Sequence, residues 1–363
     1  MMSESADIKV LLPLAFIATI MGGLLGLVVL LMLYLLSNLA SGKDQKSKHG
    51  IGEEVSRFGG VAIFIGVLAY FISSSLWSEQ GAHGALAANL RGYEPFALAV
   101  GVVGLCEDCK FSLTPRTRLF LASLVIIIAS LNNPELIPER VEFWFANDFL
   151  NLPVLLFLGV VIIVVGFINA GNISDGANGL LAINAMSVFV LMYLQASSIL
   201  YFSLLVSLGV FSIYNIFSGR IFLGDFGSYT LSALMAFCCL DLYVSSKASV
   251  WFFASLLSYP CTEIVRVMIN RALKHKSPFL ADNSHVHNKL YEAINRTRLN
   301  TLAANSLTGI LLGFCFSVVP VTLAVTGLLS WEEELWGIYF VFSVLVHLLL
   351  SRIKVSVTDP QAV

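Results

Sequence analysis

The chain has 363 residues, of which 57% are hydrophobic and 12% charged, and its mean hydropathy is +0.85. A soluble domain carries roughly 45–50% apolar and about 25% charged residues, so the composition excludes a water-soluble protein and points to the bilayer. The net charge of −2, from 21 Lys and Arg against 23 Asp and Glu, excludes the basic balance of a nucleic-acid binder.

Eleven apolar segments follow in chain order, at about 10–38, 58–76, 95–106, 117–131, 153–169, 179–196, 199–218, 227–242, 248–270, 303–326 and 336–351. A helix needs about 20 such residues to cross roughly 30 Å of hydrocarbon. The third segment is short, and Pro95 and Gly101 interrupt its period. The first follows Ser3, Glu4, Asp7 and Lys9 and is too long for a signal-peptide core, so it is expected to be retained. The fold class is therefore all-α: one polytopic membrane domain of about eleven transmembrane helices. Eleven crossings put the termini on opposite sides. With the amino terminus periplasmic and the carboxyl terminus cytoplasmic, 17 of the 21 Lys and Arg fall on the cytoplasmic side, as the positive-inside rule requires. The six cysteines lie in or beside apolar runs without the spacing of a zinc site, and read as small buried apolar residues.

Ionisable residues near the bilayer centre mark ion paths in transporters, and the midplane stretches hold none. Glu263 and Arg266 fall toward the cytoplasmic end of the ninth segment, and Asp241 at the outer end of the eighth. Instead Glu107, Asp108, Asp175 and Asp225 fall in three loops on the cytoplasmic face. Acids converging at the water boundary suggest a cation site, because Mg²⁺ takes oxygen ligands and shares them with substrate phosphates. The run Asn169 to Leu180 sets three amides, one acid and three glycines between two apolar helices, which suits a phosphate, a nucleobase or a metal better than a plain connector. The run Ile221 to Ser228 places Asp225 between glycines at a helix start. Free N–H groups there favour an anion that a cation on Asp225 could bridge.

Five ordered blocks carry a resemblance. They are Arg57-Phe58-Gly59-Gly60; Gly104-Leu105-Cys106-Glu107-Asp108 with Arg118-Leu119; Asn172 to Leu180; Asn215 with Phe222 to Ser228; and Ser277-Pro278-Phe279 with His285-Val286-His287. Together, from about Lys48 to about Leu290, they resemble the polyprenyl-phosphate N-acetylhexosamine-1-phosphate transferases of glycosyltransferase family 4. The resemblance implies transfer of a sugar 1-phosphate from a UDP-N-acetylhexosamine to undecaprenyl or another polyprenyl phosphate, with release of UMP. It also implies a bacterial inner membrane, a cytoplasmic active site built from loops at about 39–57, 106–118, 169–179, 215–228 and 271–300, and a product that starts a cell-surface polysaccharide.

By resemblance, Asp225 and Asn172 hold Mg²⁺, with Mn²⁺ as an alternative. Glu107 and Asp108 orient or deprotonate the lipid phosphate, and Asp175 sits beside the diphosphate. Asn178 and Asn215 read uracil with Phe222 stacked on its face, while Lys48, Arg118, His285 and His287 surround the phosphates and sugar. A second copy of the chain in a homodimer is an open alternative. Two anions must meet, so positioning and charge neutralisation supply most of the catalysis, and direct attack is favoured over a phospho-aspartyl enzyme. The chain departs from the family in carrying Glu107-Asp108 for Asp-Asp, Arg118 one residue further on, Asn288 for the last histidine and Ser56 for proline. A secondary transporter would call for broken helices or an internal repeat, and neither is evident in the sequence. A phosphatidyl-type alcohol transferase would call for an arginine that the run from Asp175 to Gly179 lacks.

Overall fold

A computed structural model of the chain describes residues 2–38, 43–44, 55–76, 90–141, 151–246, 248–277, 284–297 and 299–353. Lys48, Pro278 and Phe279 lie outside the described residues. Among the described residues the fold is all-α apart from β1 (Lys43–Asp44) and β2 (Val55–Ser56), an antiparallel pair. Among the described residues the helices begin with α1 (Met2–Ser37), α2 (Gly59–Leu76), α3 (Glu94–Asp108), α4 (Pro115–Asn132), α5 (Pro153–Ser174), α6 (Leu180–Ala196), α7 (Ile199–Ser218) and α8 (Gly224–Ser245). They are followed by α9 (Val250–Leu256), α10 (Ser258–Leu273), α11 (Val286–Asn295), α12 (Thr301–Gly313), α13 (Val319–Val325) and α14 (Trp336–Ser351).

Local chemistry sets these bounds. Thr114 caps α4 by accepting from Thr117 N–H, with Pro115 in the first turn, where its missing N–H costs nothing. Ser198, Ser249 and Asn300 cap α7, α9 and α12 in the same way. Gly219 ends α7 in a left-handed conformation, φ 60°.

Among the described residues, six helical stretches are long and apolar enough to cross a membrane, or seven if the bent pair α9–α10 counts as one span. α2, α6 and α14 are apolar but shorter. The outward faces are apolar: Phe16, Ile20, Leu24, Ile162 and Phe342 are all more than half exposed, as side chains against lipid are. α8 runs through the middle, buried along most of its length, and packs on α3, α5, α6 and α2. Together these features define an all-α, multi-pass membrane protein.

Two expected segments are interrupted. The ninth is not one helix: α9 and α10 meet at Leu257 with a bend of 77°, so the expectation of unbroken helices is overturned. Pro260 supplies the cause, since it cannot donate to the carbonyl of Leu256 and its ring crowds that carbonyl. The tenth passes through a π-helical turn, Phe314–Val318, between α12 and α13. The cysteines also differ from expectation. All six are free, and although Cys238 and Cys239 are buried, Cys109 and Cys315 are exposed.

Candidate active site

The expected site residues come from chain positions far apart, and hydrogen bonds join Asp108, Arg118, Asn172 and Asp225 in one cluster and Asn178 with Asn215 in another. Several are not in loops. α3 ends at Asp108, so Glu107 and Asp108 are helical, and α5 runs to Ser174, so Asn172 lies in its last turn. The connector proper is only 175–179, closed by Gly179 at φ 80°. The reason is packing: the last turn of α5 faces α8, and Asn172 finds its partners there.

Asp225 is the junction. Its Oδ1 accepts from Asn172 Nδ2 at 3.0 Å and its Oδ2 pairs with Arg118 Nη1 at 3.3 Å. Asn172 Nδ2 also reaches Ser228 Oγ at 3.1 Å. Asp108 is wholly buried, and its two oxygens accept the backbone N–H groups of Asp225 at 3.0 Å and Phe226 at 2.8 Å, with Arg57 at 4.0 Å. It therefore caps α8 across 117 residues of chain. This corrects the expectation that free N–H groups at this helix start await an anion, since two of them are already occupied by Asp108. Gly224 makes the grip feasible, because its φ is 74° and a β-carbon there would overlap the Arg57 carbonyl and press on Asp108 Oδ2.

Burial pushes the Asp108 carboxyl up to about 7; the charge of Asp225 adds to this, while the two N–H bonds and Arg57 oppose it. Desolvation also holds the Asp175 carboxyl well above its ordinary range, and the charges of Asp225 and Asp108 push the same way. Glu107 contributes a buried Oε2 with no hydrogen-bond partner.

Among the described residues, no three His, Cys, Asp or Glu converge as a ready metal cage. The donors nevertheless fit Mg²⁺. This ion needs only one or two protein oxygens and fills its shell with water and phosphate. Asp225 offers a carboxylate, and a half-turn of the Asn172 amide presents its oxygen.

The expected base-binding residues form a second cluster. Asn178 donates from Nδ2 to Ser306 Oγ at 3.1 Å, while its backbone N–H reaches Asn305 Oδ1 at 2.7 Å. Asn215 Nδ2 bonds the carbonyl of Ile221 at 2.7 Å and makes a long 3.5 Å contact to Asn178 Oδ1. Asn215 Oδ1 is buried and unpartnered. Phe222 is buried rather than lipid-facing, because β2 pins its strand-like backbone: Phe222 N–H donates to Ser56 O, and Gly59 N–H to Phe222 O, both at 2.8 Å.

His287 is buried and its Nδ1 lies 3.1 Å from Tyr259 Oη, while its ring stacks on His285 at 5.3 Å. Its Nε2 lies against Gly176, beside Asp175. Sequence reasoning gave no site role to Asn305, Ser306, Ser228, Tyr259 or His347. Ser228 closes the block from Phe222, and the polar pair Asn305-Ser306 interrupts an apolar run, whereas Tyr259 and His347 carry no such signal.

The arrangement is an acidic, amide-rich site at the end of a membrane bundle, with cations and imidazoles at its margin. Such a site suits the charge-neutralised joining of phosphates. Residues 92–243, which hold three of the five sequence blocks, match the model of glycosyl transferase family 4. The chain is 26% identical over 316 residues to a probable undecaprenyl-phosphate N-acetylglucosaminyl 1-phosphate transferase of Bacillus subtilis, covering 84% of this chain and 81% of that one. It is 26% identical over 283 residues to an undecaprenyl-phosphate alpha-N-acetylglucosaminyl 1-phosphate transferase of Thermotoga maritima, covering 74% and 79%. A phospho-N-acetylmuramoyl-pentapeptide-transferase of Deinococcus radiodurans is 27% identical over 248 residues, covering 63% and 74%.

Proposed function

We propose that the chain transfers an N-acetylhexosamine 1-phosphate from a UDP-sugar to polyprenyl phosphate. A phosphate oxygen of the lipid attacks the sugar-bearing phosphorus of the diphosphate, the bond from that phosphorus to the bridging oxygen breaks, and UMP leaves with that oxygen and the electron pair. The observation that carries this reading is Asp225, which ties together Arg118 from α4, Asn172 from α5 and Asp108 from α3 at one helix start.

Asp225 and Asn172 are the residues that would hold Mg²⁺, which when bound neutralises diphosphate charge and acts as a Lewis acid. Arg118 and Arg57 place positive charge around the phosphates, and Asp175 and Glu107 stand at the margin where the lipid phosphate is oriented. Asp108 acts from behind, by fixing the backbone that carries Asp225. Asn215 Oδ1, an unsatisfied buried acceptor, suits an N–H of uracil, with Phe222 supplying apolar contact. Attack is direct in this reading, because Asp108 is committed to two backbone bonds and is a poor candidate for a phospho-enzyme.

The reading extends to topology: eleven crossings, with the site facing the cytoplasm of a bacterial inner membrane. Arg57, Arg118 and Arg266 lie at the site's end of the bundle, while Arg91 pairs with Asp241 at the other, as a positive-inside arrangement would have it. Purified protein given Mg²⁺, undecaprenyl phosphate and a panel of UDP-sugars releases UMP with at least one donor. Asp225→Asn lowers that rate by on the order of 100-fold or more. Silence of the wild type across the panel, in lipid where a positive control works, overturns the proposal.

A further inference from the structure

Outside the acidic cluster lies a buried network that the chemistry above does not use. Glu263 on α10 is fully buried, and both of its oxygens are doubly engaged. Oε1 receives Arg266 Nη2 at 2.5 Å and His285 Nδ1 at 2.9 Å; Oε2 receives His347 Nε2 at 2.8 Å and Arg266 Nε at 3.3 Å. Arg266 Nη2 also donates to the carbonyl of Ser284 at 2.9 Å, tying the residue before His285 to the same hub. α10 can bring Glu263 to this place because the chain turns by 77° just before it.

Donor and acceptor counting then fixes the imidazoles. A carboxylate only accepts, so each nitrogen facing it must carry hydrogen. His347, wholly buried on α14, is therefore protonated at Nε2. Its Nδ1 has no partner, so a second proton there would be a buried, unsatisfied charge, and the ring is neutral. His285 is likewise protonated at Nδ1, which leaves Nε2 as the ring nitrogen available for other work. His285 stacks on His287 with ring planes 7° apart, and His287 in turn lies against Gly176. One hub thus connects the last helix, the bent helix and the connector carrying Asp175.

We infer that Glu263, backed by His347 and Arg266, is a positioning residue that holds His285 as the Nδ1–H tautomer and so sets which nitrogen the histidine pair offers to the substrate. The consequence for catalysis rests on the transferase reading above; the tautomer itself does not. Glu263→Gln is the discriminating change, because its amide keeps the shape but one end becomes a donor. One of the two imidazoles facing it must then reverse its tautomer or lose its bond.

The test uses full-length protein in lipid nanodiscs with ¹⁵N-labelled histidine, the His285 and His347 signals being assigned with His285→Asn and His347→Gln. In the wild type, His285 Nδ1 and His347 Nε2 give protonated-nitrogen shifts and His347 Nδ1 a bare one. In Glu263→Gln at least one of the two residues changes tautomer or shows the shift of an N–H that has lost its carboxylate acceptor. On the most active UDP-sugar, Glu263→Gln lowers kcat by on the order of 10–100-fold with KM within a few-fold. It adds no further loss on a His285→Asn background, and Glu263→Asp restores part of the rate.

A wild-type spectrum with His285 Nδ1 bare overturns the inference without any variant, as does Glu263→Gln with both tautomers and kcat unchanged. Additive losses of Glu263→Gln and His285→Asn overturn the positioning role. If the wild type is inactive on every donor, the transferase reading falls, and the wild-type spectrum alone decides the tautomer.

Discussion

Asp108 looked from the sequence like half of a catalytic acidic pair, yet its two oxygens are spent on the N–H groups of Asp225 and Phe226. Its titration gives a prediction with a definite sign. In the fold burial holds its proton up to about 7, whereas in the unfolded chain the proton leaves near the ordinary 3.8. Between those values unfolding releases the proton, so raising pH destabilises the cation-free protein, by at most about 1.4 kcal/mol per pH unit. Below about 4 and above about 7 this contribution is flat. Thermal unfolding in detergent without divalent cation checks it: relative to Asp108→Asn, the wild type loses stability from pH 4 to 7. A difference independent of pH would contradict the assignment.

Gly176 gives a second test at this scale. A β-carbon there would run into the His287 ring, and the imidazole, buried and bonded to Tyr259, has little room to give. Gly176→Ala is therefore expected to lower UMP release by on the order of tenfold or more while Tm moves by only a few degrees.

At the scale of elements, the close approach of α8 to its neighbours is the main source of order. Gly60 on α2 lies against the backbone of Gly227, and Gly104 on α3 lies against the carbonyl of Asp225, so neither position leaves room for a β-carbon. Interfaces of small residues are how helices associate where lipid offers no hydrophobic drive. Gly224→Ala combines a left-handed φ with a backbone overlap, and is expected to cost about 2–4 kcal/mol, read as a fall in Tm with loss of activity.

The helices themselves were largely legible, because apolar runs of bilayer length bounded by Asn, Ser, Pro and Gly leave little choice. Asp225 at a helix start and the loop Asn178-Gly179 were legible for the same reason. What stayed hidden depends on direction rather than composition. That Asn172 would face α8 from inside a helix follows from the rotation of α5, which no local pattern states. That α10 would turn away at Pro260, although a proline was plainly present, follows from what waits on the far side, Glu263 meeting two histidines. His347, alone in an apolar run, gave no sign of itself, since its partner lies 84 residues earlier.

For the molecule as a whole, two measurements bear on topology and on the cation. Cys109 is exposed just beyond α3, on the face assigned to the cytoplasm, whereas Glu135 is exposed beyond α4 on the opposite face. In a background with the other cysteines removed, an impermeant maleimide labels Cys109 only after permeabilisation, and a cysteine introduced at Glu135→Cys reacts in intact cells. The reverse pattern would invert the orientation. An Mg²⁺ ion that bound only the folded state, as proposed, would stabilise it by about 2.7 kcal/mol at a hundredfold excess over Kd. The upward shift in Tm with Mg²⁺ is expected to disappear in Asp225→Asn and to survive in His285→Asn. Equal shifts in both would place the ion elsewhere.

The near-contact of backbones where α2 and α3 meet α8 limits how the protein can cycle. Where Gly60 meets Gly227 and Gly104 meets Asp225 the backbones lie directly against each other, so α2, α3 and α8 have little room to shift and form a fixed anvil under Asp225. The compliance needed to admit a bulky nucleotide sugar and let UMP go then falls on the opposite jaw, formed by the bent α10, the histidine segment and the connector beside Gly176. Brace that jaw with a crosslink and turnover stops; brace the anvil and it continues.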